Sequence, residues 1–231
     1  MAEMPQMTHE EHHRALVRQL ASEVTPTRRL WPVGARLGLW MLLEIGVLVW
    51  VMTHTDNHFL HKLKQPVYAN EIVLFAGAAI ISAILALRST IPGRALRADE
   101  AVLGATLVLA GMVLLTVGEP MRTGYPVAEF LHLGLRCAYE TTVLAATPWL
   151  LLFWLVSRGF PTQGRLSGLF VGAGAMFFSF AMMRIACPID EPLHLLVWHL
   201  LPALALIALS TWAGSVWLRF RRRVKHSDLA G

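Results

Sequence analysis

The fold of this chain is decided by the run LSGLFVGAGAMFFSFAMMRIACPIDEPLHLLVWHLLPALALIALSTWAGSVWL, residues 166–218. Only CPIDEP, at positions 187–192, interrupts it, and the flanking segments 166–186 and 193–218 are almost wholly apolar. A helix of about 20 apolar residues crosses the hydrocarbon core of a bilayer. The stretch therefore predicts two successive transmembrane helices joined by a short loop.

The rest of the chain repeats this pattern. Of its 231 residues, 55% are hydrophobic and 15% are charged, and the mean hydropathy of +0.53 is too high for a soluble domain of this size. We predict an all-α, polytopic membrane protein with six transmembrane helices and short loops. The predicted spans are residues 37–53, 70–88, 99–118, 134–157, 166–186 and 193–218. They form one domain, 37–218, between a polar segment, 1–36, and a basic tail, 219–231. Since no apolar run precedes residue 37, the first span is expected to be retained, not cleaved as a signal peptide.

The basic residues predict the orientation. If the N-terminus lies in the cytoplasm, the segments on that side contain fifteen Lys and Arg residues, and those on the other side contain five. Basic residues accumulate in the cytoplasmic loops of membrane proteins. Both termini are therefore predicted to be cytoplasmic, in a bacterial inner membrane.

Small residues and prolines predict how the spans pack. Gly168, Gly172 and Ala175 recur at helical spacing in the fifth span. Small side chains let membrane helices approach closely, so this span is predicted to be central. Pro148 and Pro202 are expected to bend the fourth and sixth spans without ending them, because neighbouring groups satisfy the freed carbonyls.

Residues 1–36 carry a helix signature. Thr8 and Glu11 have capping-box spacing, and an apolar residue then recurs every four positions, at Leu16, Leu20 and Val24. One helix cannot bury such a stripe alone. Two alternatives remain open: an amphipathic helix that lies on the inner leaflet, or one that binds a hydrophobic groove of a soluble partner.

The two cysteines are predicted to meet at the outer mouth of the bundle, because Cys137 begins the fourth span and Cys187 ends the fifth. A thiol pair outside the cytoplasm can form a disulfide or bind a soft metal ion. The cations Arg136 and Arg184 are close in sequence and could favour the thiolate. A permanent disulfide staple is the alternative, but a six-helix bundle does not need one, and we predict a reversible sensor.

Other residues near the cysteines could ligate a metal. His132 precedes Cys137, and Asp190 and His194 follow Cys187, so thiolate, imidazole and carboxylate groups could hold a transient ion. No spacing is diagnostic, as a CxxC motif would be. We therefore predict no resident cofactor, only a transient metal ion at the cysteine pair.

Glu44 is an acidic residue well inside the first span. A carboxylate in hydrocarbon is costly unless it is neutral or paired. We predict that a protonated Glu44 hydrogen-bonds to Ser82 of the second span or Thr106 of the third and joins these helices. A proton pathway would need a second deep carboxylate, and the sequence indicates none.

Several functional classes are disfavoured. The sequence contains no GxSxG, no HExxH and no phosphate-binding glycine loop, and its basic residues form no nucleic-acid-binding stripe. His194 and His199 are not placed for bis-imidazole haem. We expect no small-molecule substrate and no enzymatic activity. The enzymatic alternative is a thiol/disulfide oxidoreductase that acts with quinone, although such enzymes usually carry CxxC.

Three parts of the sequence carry a family resemblance. They are LVRQLASEVTPTRRLWPVGAR at 16–36, Cys137, and ACPIDEPLHLLVWHLLP at 186–202, in which Cys-Pro-x-Asp-x-Pro is the most specific element. With these features the chain resembles, over essentially its whole length, the NrsF family of membrane anti-sigma factors. Thr27 departs from the family pattern, which often has Val there, and the N-terminus is unusually rich in histidine.

The resemblance implies a function. In such proteins a cytoplasmic segment holds an extracytoplasmic-function (ECF) sigma factor inactive, and paired outer cysteines are linked to a stress response. We therefore predict that residues 1–36 sequester an ECF sigma factor and release it when Cys137 and Cys187 sense oxidative or heavy-metal stress. The predicted partner-binding residues are Leu16, Leu20, Val24, Arg28 and Arg29.

Overall fold

The described part of the chain consists of helices joined by short turns and loops, without a strand. The computed structural model describes residues 9–23, 30–55, 58–91, 126–159, 161 and 163–227, together with a few positions between 99 and 110. The helices are α1 (His9–Glu23), α2 (Val33–His54), α3 (His58–Lys62), α4 (Pro66–Arg88), α5 (Val127–Ser157), α6 (Gly164–Ala186), α7 (Pro192–His194), a π-helix (Leu195–Leu200) and α8 (Leu201–Ser227).

Five helices of the described chain are long and apolar enough to cross a membrane. They are α2, α4, α5, α6 and the continuous stretch Pro192–Trp217. They coincide with the first, second, fourth, fifth and sixth predicted spans, and they make this an all-helical membrane protein. Most of the third predicted span, 99–118, lies outside the described residues.

The centre of the bundle is α6, as its small residues predict. It packs against α4, α5 and α8, and nearly all of its residues are buried. A Cβ added at Gly168 would lie 2.2 Å from the carbonyl oxygen of Ser210, and one added at Gly172 would lie 2.8 Å from the Cα of Ile207. The Ser210 hydroxyl donates to the Gly168 carbonyl at 2.6 Å. Glycine is therefore required where α6 meets α8.

Polar contacts mark one end of the bundle. At that end Nη1 of Arg36 donates to Oγ1 of Thr90 at 3.0 Å and to the carbonyl of Leu155 at 3.4 Å. Oγ of Ser89 and Oγ of Ser167 lie 2.7 Å apart nearby. These residues lie at the N-terminal ends of α2 and α6 and at the C-terminal ends of α4 and α5. Both cysteines lie at the opposite end.

The two prolines within spans do not end their helices, as predicted. Helix α5 continues through Pro148, whose carbonyl accepts a hydrogen bond from Nε1 of Trp40 at 3.2 Å. Pro202 follows the π-helix at the start of α8. Because proline has no N–H, it leaves the carbonyl four residues earlier, at Trp198, without its α-helical donor.

Helix α1 belongs to a separate compact unit, residues 1–30. Its only described ion pair joins Arg14 to Glu10 across one turn, at 2.6 Å. The side chains of Leu16 and Val17 are 47% and 52% exposed, which is a high fraction for apolar residues. The predicted partner-binding residues Val24, Arg28 and Arg29, and the side chain of Leu20, lie outside the described residues.

Candidate functional site

The two cysteines lie side by side at one end of the bundle. Cys137 is in the third turn of α5, and Cys187 directly follows the last residue of α6. Their sulfurs are 3.8 Å apart, and the residues are only 8% and 4% exposed. The Cys187 amide still donates to the Met183 carbonyl, but Pro188 follows and the backbone becomes extended there. Proline thus fixes the turn that points the second thiol at the first.

Two imidazoles complete a cluster with the cysteines. Nε2 of His194 lies 3.7 Å from Sγ of Cys187, and the ring centroids of His194 and His199 are 5.3 Å apart. One donor atom from each of the four residues, Cys137, Cys187, His194 and His199, lies within 4.8 Å of the others. We call these residues the thiol–imidazole cluster. Both histidines are almost completely buried.

The π-helix explains why both histidines face the thiols. In an α-helix, residues five apart are separated by about 140° around the axis and point to different sides. In a π-helix the hydrogen bonds join residues five apart, so these residues lie much closer to the same face than they do in an α-helix. The π-helical turn at Leu195–Leu200 therefore brings His199 onto the same face as His194. Pro202, which cannot complete the α-helical hydrogen bond to Trp198, favours this departure from α-helix.

Thr141 orients the second imidazole. Its hydroxyl group donates to the Cys137 carbonyl at 2.7 Å, and Nδ1 of His199 lies 3.2 Å from Oγ1 of Thr141. Because the single hydroxyl proton points to the carbonyl, the oxygen must accept from Nδ1–H of His199. This assigns the tautomer in which Nε2 of His199 carries a free lone pair. That buried atom has no hydrogen-bond partner among the described residues.

The cluster fits a tetrahedral soft metal ion. Metal–sulfur bonds of about 2.3 Å and tetrahedral angles hold two sulfurs about 3.8 Å apart, which matches the observed separation of the two sulfurs. Two thiols and two imidazoles are a donor set that zinc and other thiophilic ions prefer. The lone pair on Nε2 of His199, fixed by Thr141, is what a ligand nitrogen requires. The same two sulfurs are also close enough to form a disulfide after a small movement.

The Cys187 thiol lies beyond the end of the membrane-spanning helix α6, and its pKa is lowered from the ordinary value of a thiol. Its hydrogen bond with Cys137 lowers the pKa of this thiol, and the hydrogen bond with His194 acts in the same direction, whereas burial opposes both. Arg136 and Arg184, the two cations predicted to favour the thiolates, each form ion pairs with carboxylates. Arg136 pairs with Glu140 at 3.0 Å, and Arg184 pairs with other carboxylates.

Two predicted metal ligands lie outside the cluster. The side chain of His132 is exposed on α5. Asp190 instead forms ion pairs with two basic side chains. Its carboxylate oxygens lie 2.6 Å from Nζ of Lys62 and 2.8 Å from Nη1 of Arg184. His199 takes part in the cluster in their place.

A buried ion pair holds the loop that carries Cys187. Nε of Arg184 lies 2.7 Å from the Glu71 carboxylate, and both side chains are 8% exposed. The Tyr68 hydroxyl donates to the Arg184 carbonyl, and Lys62 donates to the Pro188 carbonyl at 3.3 Å. Together with Asp190, these contacts tie α3, α4 and the end of α6 around residues 187–190. No local signal in the sequence marks Glu71 as a partner of Arg184, because Glu71 lies at the edge of the second predicted span.

Glu44 is buried on the inward face of α2. Neither of its carboxylate oxygens has a hydrogen-bond partner among the described residues, so the predicted bond to Ser82 or Thr106 is not observed. The Thr106 hydroxyl donates to the Val102 carbonyl within its own helix, at 2.9 Å. The expected role of Glu44 as a link between helices is therefore not supported.

The fold and the site define a helical membrane protein with a buried thiol–imidazole cluster at one end of its bundle. The chain belongs to the NrsF family, negative regulator of sigma F, and the match covers residues 20–220. No curated protein and no solved structure matches the chain. Family membership makes this protein a negative regulator with a sigma factor as its partner. It favours a regulatory, non-enzymatic role over the thiol oxidoreductase alternative.

Proposed function

We propose that the protein is an inner-membrane anti-sigma factor whose residues 1–36 sequester an ECF sigma factor. It releases this partner when the thiol–imidazole cluster is oxidised or binds a heavy-metal ion. The observation that carries the proposal is the convergence of Cys137, Cys187, His194 and His199, with donor atoms within 4.8 Å of one another. A buried cluster of this composition has two chemical responses, disulfide formation and metal ligation.

The charge distribution supports a signal that arrives from outside. The fifteen-to-five distribution of basic residues favours cytoplasmic termini, and the cluster then faces the periplasm. Thiols are not kept reduced in that compartment, so an oxidant or metal ion reaches them without crossing the membrane. The segment that binds the sigma factor lies on the other side of about 30 Å of hydrocarbon.

The packing of α6 offers a route across this distance. Cys187 lies at one end of α6, and at the other end Gly168 and Gly172 are in backbone contact with α8. Helices packed this closely move as rigid bodies, and a shift at one end is transmitted to the other. Drawing Cys187 toward Cys137 on α5 changes how α5 and α6 meet, and α6 carries the change to the cytoplasmic end.

Co-purification tests the proposal. The full-length protein, tagged at its C-terminus, is expected to retain a sigma factor, and a variant that lacks residues 1–30 is expected to lose it while remaining in the membrane. The deletion removes one complete compact unit. Oxidant or Cd²⁺ added to the intact complex should release the partner. Retention of the sigma factor by the truncated variant would contradict the proposed role of the N-terminal segment.

Thr141 provides a test of the metal response. We expect Thr141→Val to weaken Zn²⁺ binding by about 10–100-fold, because His199 loses the acceptor that fixes its tautomer. The neighbouring Thr142→Val is the matched control, since Thr142 is exposed and its hydroxyl donates to the Ala138 carbonyl of its own helix. Competition titration of the purified, reduced protein measures both affinities. Equal affinities in the two variants would exclude His199 as a ligand.

A further inference from the structure

An open groove lies on the outside of the bundle between α2 and α5. It has a volume of about 550 Å³, and among the described residues its wall comes from these two helices. Most of the wall is apolar, and Leu42, Trp50 and Val143 within it are exposed. In a bilayer such a wall contacts acyl chains, which are as apolar as leucine. We call this cavity the groove.

A more polar cavity adjoins one end of the groove. It has a volume of about 310 Å³ and shares Trp50, Val143 and Leu144 with the groove. Charged and polar residues are also part of its wall, among them His54, Arg136, Tyr139 and Glu140. Trp50 and Tyr139 are exposed, and these two residue types are enriched where a membrane meets water. This cavity, which we call the mouth, therefore lies at the level of lipid headgroups.

The groove has the length of one leaflet. Leu151, at its far end, follows Glu140 of the mouth by eleven positions in α5, and Leu39 precedes Trp50 by eleven positions in α2. Eleven residues of α-helix rise about 16 Å. Half of the hydrocarbon core of a bilayer measures about 15 Å. An acyl chain whose headgroup lies in the mouth can therefore contact the groove along its whole length.

The mouth contains two opposite charges side by side. Nε of Arg136 lies 3.0 Å from a carboxylate oxygen of Glu140, and the two side chains are 78% and 40% exposed. A guanidinium group is a preferred partner of phosphate, and a carboxylate is a preferred partner of an ammonium group. In an ethanolamine headgroup two carbons separate the phosphate from the ammonium group. Such a headgroup satisfies both charges, whereas a phosphate alone satisfies only Arg136.

The described start of the third predicted span packs elsewhere. A Cβ added at Gly104 would lie 2.6 Å from Cε1 of Phe170 in α6. Glu100 lies 3.2 Å from Nη2 of Arg88 at the end of α4. The groove wall is formed by α2 and α5, so these contacts are not at the groove.

We propose that the groove and the mouth together bind one phospholipid with an ethanolamine headgroup. Arg136 binds its phosphate, Glu140 binds its ammonium group, and one acyl chain lies in the groove. The wall of the mouth also includes Met183 and Ala186, which pack with the two cysteines of the thiol–imidazole cluster. The bound lipid therefore lies next to this cluster. The site goes beyond the proposed function, which gives lipid no specific role.

Native mass spectrometry tests the groove. The full-length protein is purified in a mild detergent without a sigma factor, and phospholipid that stays bound adds to its mass. Gly46→Leu should lower the lipid-bound fraction by about tenfold, because leucine replaces part of the acyl chain in the groove. A Cβ added at Gly46 meets nothing within 4 Å, so the substitution should leave the packing of the bundle intact.

Gly38→Leu is the matched control for the groove. Gly38 lies on the same helix and is equally open around an added Cβ, but it is not part of the groove wall. This variant should keep its phospholipid. Equal lipid-bound fractions in the Gly46 and Gly38 variants would overturn the groove as the seat of the chain. The absence of bound phospholipid from the unmodified protein would overturn the site itself.

The headgroup is tested by titration of delipidated protein with phosphatidylethanolamine or phosphatidylglycerol of identical chains. The unmodified protein should bind the ethanolamine lipid about two- to fivefold more tightly, the effect of one partly exposed ion pair. Glu140→Gln should reverse this preference, since only the cation remains in the mouth. Arg136→Gln should weaken the binding of both lipids, because each carries a phosphate.

Glu129→Gln is the matched control for the loss of a carboxylate. Glu129 is exposed on α5 outside the wall of the mouth, and this variant should keep the preference of the unmodified protein. Equal affinities for the two lipids in the unmodified protein, or tighter binding of phosphatidylglycerol, would overturn the headgroup assignment. An unchanged preference in Glu140→Gln would also overturn it. Because no sigma factor is present, these outcomes are independent of the anti-sigma mechanism.

Discussion

Replacing both Cys137 and Cys187 with Ser is expected to leave the protein in the membrane and to abolish sigma release in response to oxidant or heavy metal. Serine cannot form a disulfide and is a poor ligand for soft ions, so neither response of the cluster remains. The side chains are nearly isosteric with cysteine, and α5 and α6 keep their packing partners. A reporter driven by the sigma-dependent promoter should stay at its uninduced level, a complete loss of induction.

The matched control for this loss is Ala186→Ser, which adds a hydroxyl beside Cys187 but keeps both thiols. It should respond as the unmodified protein does. Each single cysteine variant should also lose induction by oxidant, since a disulfide within the chain needs both sulfurs. Normal induction of the reporter in the double variant would contradict a sensing role for the cluster. Labelling of the thiols from the cytoplasmic side alone would contradict the proposed topology.

The second large effect is expected in the N-terminal helix. Leu16→Asp combined with Leu20→Asp should abolish sigma retention without changing membrane insertion. Two leucines buried in a partner's groove contribute about 3–6 kcal/mol together, which corresponds to a loss of affinity of at least about 100-fold. In the unbound chain Leu16 is 47% exposed, so the change should cost α1 itself little. Co-purification of the sigma factor with the tagged full-length protein measures the effect.

A control with the same charges on the opposite face distinguishes groove binding from electrostatics. Ala15→Asp combined with Ser22→Asp adds two carboxylates away from the apolar stripe. This variant should retain the sigma factor. If both double variants retained it, the helix-in-groove interpretation would be wrong. If both lost it, net charge and not the apolar stripe would control the interaction.

Much of the site could not be predicted from the sequence. The cysteines could be paired because span ends alternate between two sides of a membrane. His194 was predicted as a partner of these thiols, but the complete set of partners could not be predicted, because it depends on helix rotation. His199 is five residues from His194, a spacing that argues against a shared face in an α-helix, and only the π-helical turn reverses that argument. Asp190 looked like a ligand but is held by Lys62 and Arg184.

The partners of Thr141 and Glu71 could not be predicted from the sequence either. A threonine in a membrane helix commonly bonds its own backbone, and nothing in the sequence marks Thr141 as the acceptor for His199. Glu71 lies at the edge of a predicted span, where acidic residues are ordinary. Its importance comes from Arg184, 113 residues away along the chain. Neither pairing leaves a local signal.

The sequence by itself determined that this is a helical membrane protein surrounded by lipid. It also determined the positions of five described spans and the central place of α6. Both follow from local properties of the sequence. The length of an apolar run decides whether a helix can span the bilayer, and the spacing of small residues decides how closely helices can pack. The tertiary structure decided which side chains meet, namely that His199 is the fourth member of the thiol–imidazole cluster and that Thr141 fixes the tautomer of His199. These depend on the rotation of each helix about its axis and on a single π-helical turn. Hydropathy carries no information about either.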